Sequence, residues 1–360
     1  MFDMINHTPA ALERILSQEQ SVIQSVSAVI ASSRINKVLL VGIGTSWHAA
    51  LNADYYFKTV AGLPHVEAWH SMDFVQRSPP VDDKTAVIIF SHRGVKTFSF
   101  EACVRSKNSG CYTVLLTSLD SPINESLGLD AIIRTSKGEQ SSAFTVSHTS
   151  STFVALMLSV YIGLGRKVDQ AAGLEQHLNK IPNLLQSIIN HDHQMYKSWA
   201  ARVKDLRYLP FVAYLGNVSN TYEVGLKINE AVYMYAQGFN VEQFIHGPFV
   251  AVDENTGLTA IISKEDGKER TLQLLKAAKH VGVKVSLITS DCDYTSAEVV
   301  GKDCIISLPD VPEPISVLTN LVALQLLTYY LAMERKTDPD MFRRDLPLHS
   351  DAFVVSGLNL

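Results

Sequence analysis

The chain has 360 residues, 46% of them hydrophobic and 19% charged, with a formal net charge of −5. That length exceeds one ordinary core and predicts two domains, while the acidic balance argues against nucleic acid as the main partner. No apolar run reaches the length of a membrane span, and MFDMINHTPAALERIL at the start lacks the charged-then-apolar layout of a secretory signal, so a cytoplasmic protein with no membrane partner is expected.

In chain order, residues 8–33 have helical spacing with polar faces. KVLLVGIG (37–44) is a buried-strand pattern, TSWHAALNADYYFKTVAG (45–62) a helix ended by glycine, and HVEAWH (65–70) a short strand. TAVIIFS (85–91) is a strand, TFSFEACVRSKNSG (97–110) a helix, and YTVLLTS (112–118) and DAIIRTS (130–136) are strands. SSTFVALMLSVYIGLG (150–165) is an apolar helix. A polar helical stretch, 168–206, reads as a linker.

The pattern then restarts. FVAYLGN (211–217) is a strand and loop, and SNTYEVGLKINEAVYMYAQG (219–238) a helix. LTAIIS (258–263), KVSLITS (284–290) and CIISLP (304–309) are strands, with a helix at 269–282. ISVLTNLVALQLLTYYLAMER (315–335) is a long apolar helix that echoes 150–165. Alternating strands and helices predict an α/β class of two tandem flavodoxin-like, three-layer α/β/α domains with parallel sheets. The expected division is 1–34 N-terminal helix, 35–167 first domain, 168–206 linker, 207–335 second domain, and 336–360 a tail docking near the site. The four cysteines, Cys103, Cys111, Cys292 and Cys304, lack metal-ligand spacing and are expected to be free thiols.

Loops at the carboxyl ends of parallel strands are where such sheets bind ligands. VGIGTSW (41–47) has Gly-x-Gly after a strand, but Trp47 stands where the dinucleotide fingerprint needs a third glycine. What remains is Thr45 and Ser46 at a helix start, where free N–H groups and the dipole favour an anion. The next strand runs into SHRGVKT, which supplies Ser91, His92, Arg93, Lys96 and Thr97. Arg93 offers a planar fork for phosphate and Lys96 a point charge. A third loop, GEQSSAFT (138–145), adds Ser142 and Thr145 ahead of the long helix. Three anion-suited loops on one sheet edge point to phosphate.

GTSWHA, the Ser-x-x-Gly loop, E-x-S-x-A-x-T from Glu139 to Thr145, YEVGLKINE (222–230) and IHGP (245–248) together resemble the tandem sugar-isomerase (SIS) domain family. The isomerase half of glucosamine-6-phosphate synthase is its nearest well-known type, and the likeness runs from about 35 to 345. The resemblance implies a homodimer that binds a sugar phosphate near the subunit interface, with the phosphate near Ser46, Ser91, His92 and Thr145. The glutamate matching Glu230 would move the proton between C1 and C2. The histidine matching His246 would assist ring opening, reaching in from the other subunit, and Lys227 matches a lysine near the sugar.

Several positions depart from the family pattern. Charge replaces hydroxyls at Arg93 and Lys96. Gln243 stands where a glutamate usually precedes the histidine, with Glu242 one step earlier. After Lys336 there is no lysine, whereas the synthase carries one in its last turn; Arg343, Arg344 and His349 stand in that stretch, and Arg344 and His349 are taken as candidate contributors. Only about 35 residues precede the first strand, so no glutaminase domain is expected.

Aldose–ketose interconversion needs one base beside a carbonyl-bearing carbon and a group to open the ring; a carboxylate and a histidine suffice. Glu230, Lys227 and Glu223 fall on one helix face, with Val224, Ile228 and Val232 marking the opposite, buried one. No metal and no cofactor are expected. The leading expectation is a phosphosugar isomerase acting on a hexose or amino-hexose 6-phosphate. A deaminase or deglycase of the same family is the runner-up, and a non-catalytic sugar-phosphate-binding regulator stands well behind.

Overall fold

The structure, a computed structural model, describes residues 1–77, 79–94, 96–263, 267–290 and 294–356; Cys292 and the end of the expected tail lie outside the described residues. The chain divides into two compact units. The first comprises residues 6–139 and 145–186, the second 1–5, 140–144 and 187–360.

In the first unit, β1 (Lys37–Gly42), β2 (Val66–His70), β3 (Thr85–Phe90), β4 (Tyr112–Thr117) and β5 (Ala131–Arg134) form one sheet in the order β2-β1-β3-β4-β5. Every pairing is parallel. All six residues of β3 and of β4 are buried, because helices cover both faces and leave no solvent side to require alternation. The helix Val146–Gly165 packs on Gln20–Ala31 and Thr45–Thr59.

In the second unit, β6 (Tyr208–Ala213), β7 (Tyr235–Asn240), β8 (Gly257–Ile262), β9 (Lys284–Thr289) and β10 (Ile305–Ser307) run β10-β9-β8-β6-β7. Counted from its own first strand, each sheet has the order 2-1-3-4-5. The repeat expected from the sequence is therefore a repeat of topology, and 2-1-3-4-5 is the flavodoxin-like doubly wound order. The helix Glu313–Arg335 packs on Asn217–Ala231 and Gln194–Val203.

Two expectations need correction. The helix expected over 219–238 ends at Ala231, and β7 follows it. Tyr233 breaks the helix with a left-handed φ of 60°. Asn229 then pairs with the strand: its Oδ1 accepts the Ala236 N–H at 3.0 Å and its Nδ2 donates to the Ala236 carbonyl at 3.3 Å. Small inward residues hide β7 in the sequence. Gly238 lies so near the helix that a Cβ there would sit 2.2 Å from the Thr221 carbonyl carbon.

The expected linker is three helices, Asp169–Leu178, Ile181–Ile189 and Gln194–Val203, and the boundary between the units falls inside it. Tyr196 and Trp199 are buried, and the Trp199 indole donates to Thr259 Oγ1 at 3.1 Å on β8. Two helices, Val146–Gly165 of 20 residues and Glu313–Arg335 of 23, are long and apolar enough to cross a membrane, contrary to expectation, and 89% of each one's most apolar window is buried. Serine and threonine interrupt the apolar runs in the sequence but not in the helix. Their hydroxyls turn back onto helix carbonyls, as Ser159 does to Leu156 at 2.7 Å and Thr328 to Leu324 at 2.9 Å.

Candidate functional site

The first unit places two loops, and the two ends of a third, at the carboxyl edge of its sheet. After β1, Gly42 tolerates no side chain, because a Cβ would lie 2.3 Å from the Ser46 carbonyl oxygen. Gly44 turns the chain with φ 56°, and Thr45 and Ser46, both half-buried, open the helix Thr45–Thr59. The Ser46 and Trp47 N–H groups donate to Ile43 and Gly44 carbonyls at 3.1 and 2.9 Å, so this turn spends part of its own donor set.

After β3, Ser91 and His92 are buried, Arg93 and Thr97 exposed, and Lys96 half-buried at the start of Thr97–Asn108. The loop is clamped from β4 and beyond: Thr117 Oγ1 donates to the His92 carbonyl at 3.1 Å and Ser121 Oγ to the Arg93 carbonyl at 2.5 Å.

The third loop is tied to the second. The Glu139 N–H donates to His92 Nε2 at 2.9 Å, which fixes the ring proton of the neutral imidazole on Nδ1. Burial pushes His92 down to about 4; Asp120 opposes that shift and Arg93 adds to it. Glu139 accepts from Thr145 Oγ1 at 3.1 Å and from the Ser147 N–H at 3.0 Å. Burial raises its carboxyl above the usual range, against those bonds. Thr145 is fully buried and Ser142 half-buried, and Ser142 belongs to the second unit. Glu139 is thus the brace of the loop, and the E-x-S-x-A-x-T spacing is its signal in the sequence.

In the second unit, the helix Asn217–Ala231 lies between the β6–β7 side of the sheet and Glu313–Arg335. It is buried nearly all round, so the charged face is not the solvent-facing one that the valine and isoleucine pattern implied. Glu223 is 1% and Lys227 2% exposed. The Lys227 ammonium bonds the Glu230 carboxylate and lies 3.7 Å from Glu223 Oε1. Lys227 is therefore enclosed between two carboxylates, and Glu230, 15% exposed, is the member that reaches open space.

That space is a pocket of about 450 Å³ lined by Asn229, Glu230, Tyr233, Met234, Tyr235, Phe342, Arg343 and His349. The stretch after Lys336 folds over it. Tyr233 Oη accepts the Arg343 N–H at 2.7 Å, the Arg343 guanidinium lies 4.8 Å from the centre of the Tyr233 ring, and Arg343 Nη1 is 3.4 Å from His349 Nε2. Of the two tail candidates, His349 lines the pocket. Arg344 is exposed, with its guanidinium 5.9 Å from the Phe342 ring, and Arg343 occupies the place expected for it. Two adjacent arginines in an aperiodic stretch gave the sequence no means of choosing between them.

His246 is 73% exposed and does not line this pocket. Its Nε2 is 3.2 Å from Glu242 Oε2, and the Arg270 guanidinium grips the same carboxylate, donating from Nε at 2.6 Å. Arg270 holds the Glu242 carboxyl below its ordinary range. On this helical turn a carboxylate four residues before the histidine reaches it, so Glu242 serves where Gln243 cannot.

Residues 32–161 match the family model described as the SIS domain. Glutamine–fructose-6-phosphate aminotransferase (isomerizing) of Thermococcus kodakarensis is 27% identical over 346 residues, covering 94% of this chain and 56% of that protein. The chain thus spans about half the length of the curated relatives it matches. Among solved structures, the C-terminal domain of glucosamine-fructose-6-phosphate aminotransferase from Francisella tularensis superposes with a TM-score of 0.80 at 21% identity, covering 94% of this chain and 96% of that one. Tagatose-6-phosphate ketose/aldose isomerase from Escherichia coli gives 0.78 at 17% identity, covering 94% of each chain. At those identities the superpositions establish the fold.

Proposed function

We propose that this chain is a SIS-domain protein and, on that premise, a phosphosugar isomerase that interconverts aldose and ketose forms of a hexose or amino-hexose 6-phosphate. The observation that carries the reading is Glu230: a carboxylate that faces a pocket of about 450 Å³ while a buried lysine holds it from behind. In the open-chain aldose, Glu230 takes the proton from C2 as the C2–H electrons form the C1–C2 double bond and the C1 oxygen is protonated. It returns that proton to C1 as the C2 hydroxyl becomes the carbonyl. Lys227 fixes the carboxylate and stabilises its charged form.

Thr45, Ser46, Ser91, Arg93, Lys96, Thr97 and Thr145 are assigned to the phosphate, and His92 to bracing their loops. His246, exposed beside Glu242, is assigned to ring opening from a second copy of the chain, which makes the working form a homodimer. A cytoplasmic location, without nucleic acid or membrane as partner, completes the reading.

A second reading is favoured by one observation. Arginine and histidine, not lysine, come from the tail to the pocket, and neither forms the imine a lysine can. Release of an amine from an amino-sugar phosphate, a deaminase or deglycase reaction, begins with the same enolisation at Glu230. Proton NMR in heavy water with a panel of hexose and hexosamine 6-phosphates tests both. Deuterium entering C1 or C2 with the parent and not with Glu230→Gln is expected, and ammonia or free amine in the product separates the second reading from the first. Exchange that persists in Glu230→Gln overturns the assignment of the base. Binding without exchange in the parent leaves a regulator.

A further inference from the structure

A single π turn, Ile15–Glu19, interrupts the N-terminal helix between Thr8–Arg14 and Gln20–Ala31. In an α-helix, side chains five residues apart diverge by about 140°. The wider π turn bonds i to i+5 and brings Arg14 and Glu19 to one side, where Arg14 Nη1 donates to Glu19 Oε1 at 2.8 Å. The pair lies against β5, an edge strand of the first sheet. Glu19 Oε2 accepts the Arg134 N–H at 3.0 Å, and Arg14 Nη2 donates to the carbonyls of Arg134 and Thr135. An open strand edge is thus offered a donor and an acceptor, as another strand would offer them. Covering an edge does not by itself call for a π turn or for two charges held at 17% and 11% exposure, and π turns recur at functional places.

The bonds beyond β5 supply a reason. The Arg134 guanidinium donates to the carbonyls of Ser118 and Ser121 at 2.8 and 2.9 Å, and Ser121 Oγ donates to the Arg93 carbonyl. The Leu119 N–H donates to the Ser136 carbonyl at 2.8 Å, and Asp120 Oδ1 accepts the Gly138 N–H at 2.8 Å. The clamp therefore continues, bond by bond, into the loop that carries Arg93 and the loop that Glu139 braces. We propose that Arg14 and Glu19 are positioning residues of the anion site: by fixing the end of β5 they hold these two loops at the spacing a phosphate requires. This deepens the sugar-phosphate reading and rests on it. Neither side chain is assigned a contact with the ligand; both act through the backbone of β5 and the side chain of Arg134.

Calorimetric titration with inorganic phosphate and with fructose 6-phosphate reads the effect in the parent, Arg14→Met, Arg14→Lys and Glu19→Gln, each well below its own melting temperature. Arg14→Met is expected to weaken both ligands at least about tenfold and in the same proportion, because the phosphate is what they share. Arg14→Lys keeps a charged donor without the two-armed fork and should lose less; so should Glu19→Gln, which keeps an acceptor for the Arg134 N–H. Hydrogen exchange gives a second reading in the parent alone. If opening the clamp abolishes binding, phosphate at about ten times its dissociation constant slows exchange of the Arg134 N–H about tenfold. Variants that melt lower yet bind both ligands as the parent does overturn the proposal, leaving the pair as an edge cap and the isomerase reading standing. Exchange at Arg134 that ignores phosphate overturns it as well, even if the variants fail to fold. If the parent binds neither ligand, the phosphate reading of the loops falls and the proposal with it.

Discussion

Replacing Lys227 with methionine isolates what its charge does. Methionine keeps most of the apolar stem's volume and removes the ammonium, so the side chain still packs while Glu223 and Glu230 lose their shared counter-ion. With Lys227 at 2% and Glu223 at 1% exposure, water cannot replace it. Breaking a buried ion pair by removing one partner costs about 3–5 kcal/mol, against about 1 kcal/mol or less for an exposed pair. At roughly 2–4 °C per kcal/mol for a unit of this size, Lys227→Met should melt roughly 6–20 °C below the parent. Glu223→Gln in the Lys227→Met background should recover part of that loss, because one uncompensated carboxylate is gone. Urea denaturation followed by circular dichroism measures both variants, and deuterium exchange reads whether Glu230 still works as a base. A Lys227→Met loss under about 1 kcal/mol would refute the reasoning, since the triad would then be solvated in spite of its burial.

Burial raises Glu313 to about 7, so the folded state holds a proton that the unfolded chain releases near 4.5; the associated stability is present below pH 4.5 and is lost as pH rises through 7. Glu313→Gln should therefore be more stable than the parent by roughly 3 kcal/mol at pH 8 and nearly equal to it at pH 4.5, and a pH-independent difference counts against this. His92 has the opposite sign: its value falls from 6.5 to about 4, so its contribution is present above pH 6.5 and disappears as pH drops toward 4. His92→Asn should flatten the stability profile between those limits in pH-resolved urea titrations; an unchanged slope would place the imidazole in solvent. Gly238→Ala forces a Cβ to within 2.2 Å of the Thr221 backbone and should cost about 3 kcal/mol and lower deuterium exchange, because the displaced helix carries Glu230; a neutral substitution in urea denaturation would contradict the close approach.

The sequence made strands legible where they are buried on both faces. TAVIIF and YTVLLT could hardly be anything else, and they place the loops that follow them. It failed at YAQGFN, where alanine and glycine face the helix and the charged helix upstream supplied a longer, false period. Glu230 was legible through its motif. Its environment was not, because the burial of Glu223 and Lys227 comes from Glu313–Arg335 packing across the same helix, a contact between distant segments that no local pattern carries. The pocket's tail was least legible of all. An aperiodic segment gains its position from single bonds such as Arg343 to Tyr233, and only the folded chain selects which of two adjacent arginines is held.

Tyr233, Phe342 and Arg343 all have left-handed backbone angles, with φ of 60, 54 and 57°, and none is glycine. Each such residue stores on the order of 1–3 kcal/mol that the surrounding fold must hold. The rim is therefore set before any ligand arrives, and a ligand that fits it has little backbone left to order. It also means the rim keeps its shape while its side chains vary. A lineage of such proteins can exchange one residue for another along this edge and change what is recognised there without redesigning the loop that presents it.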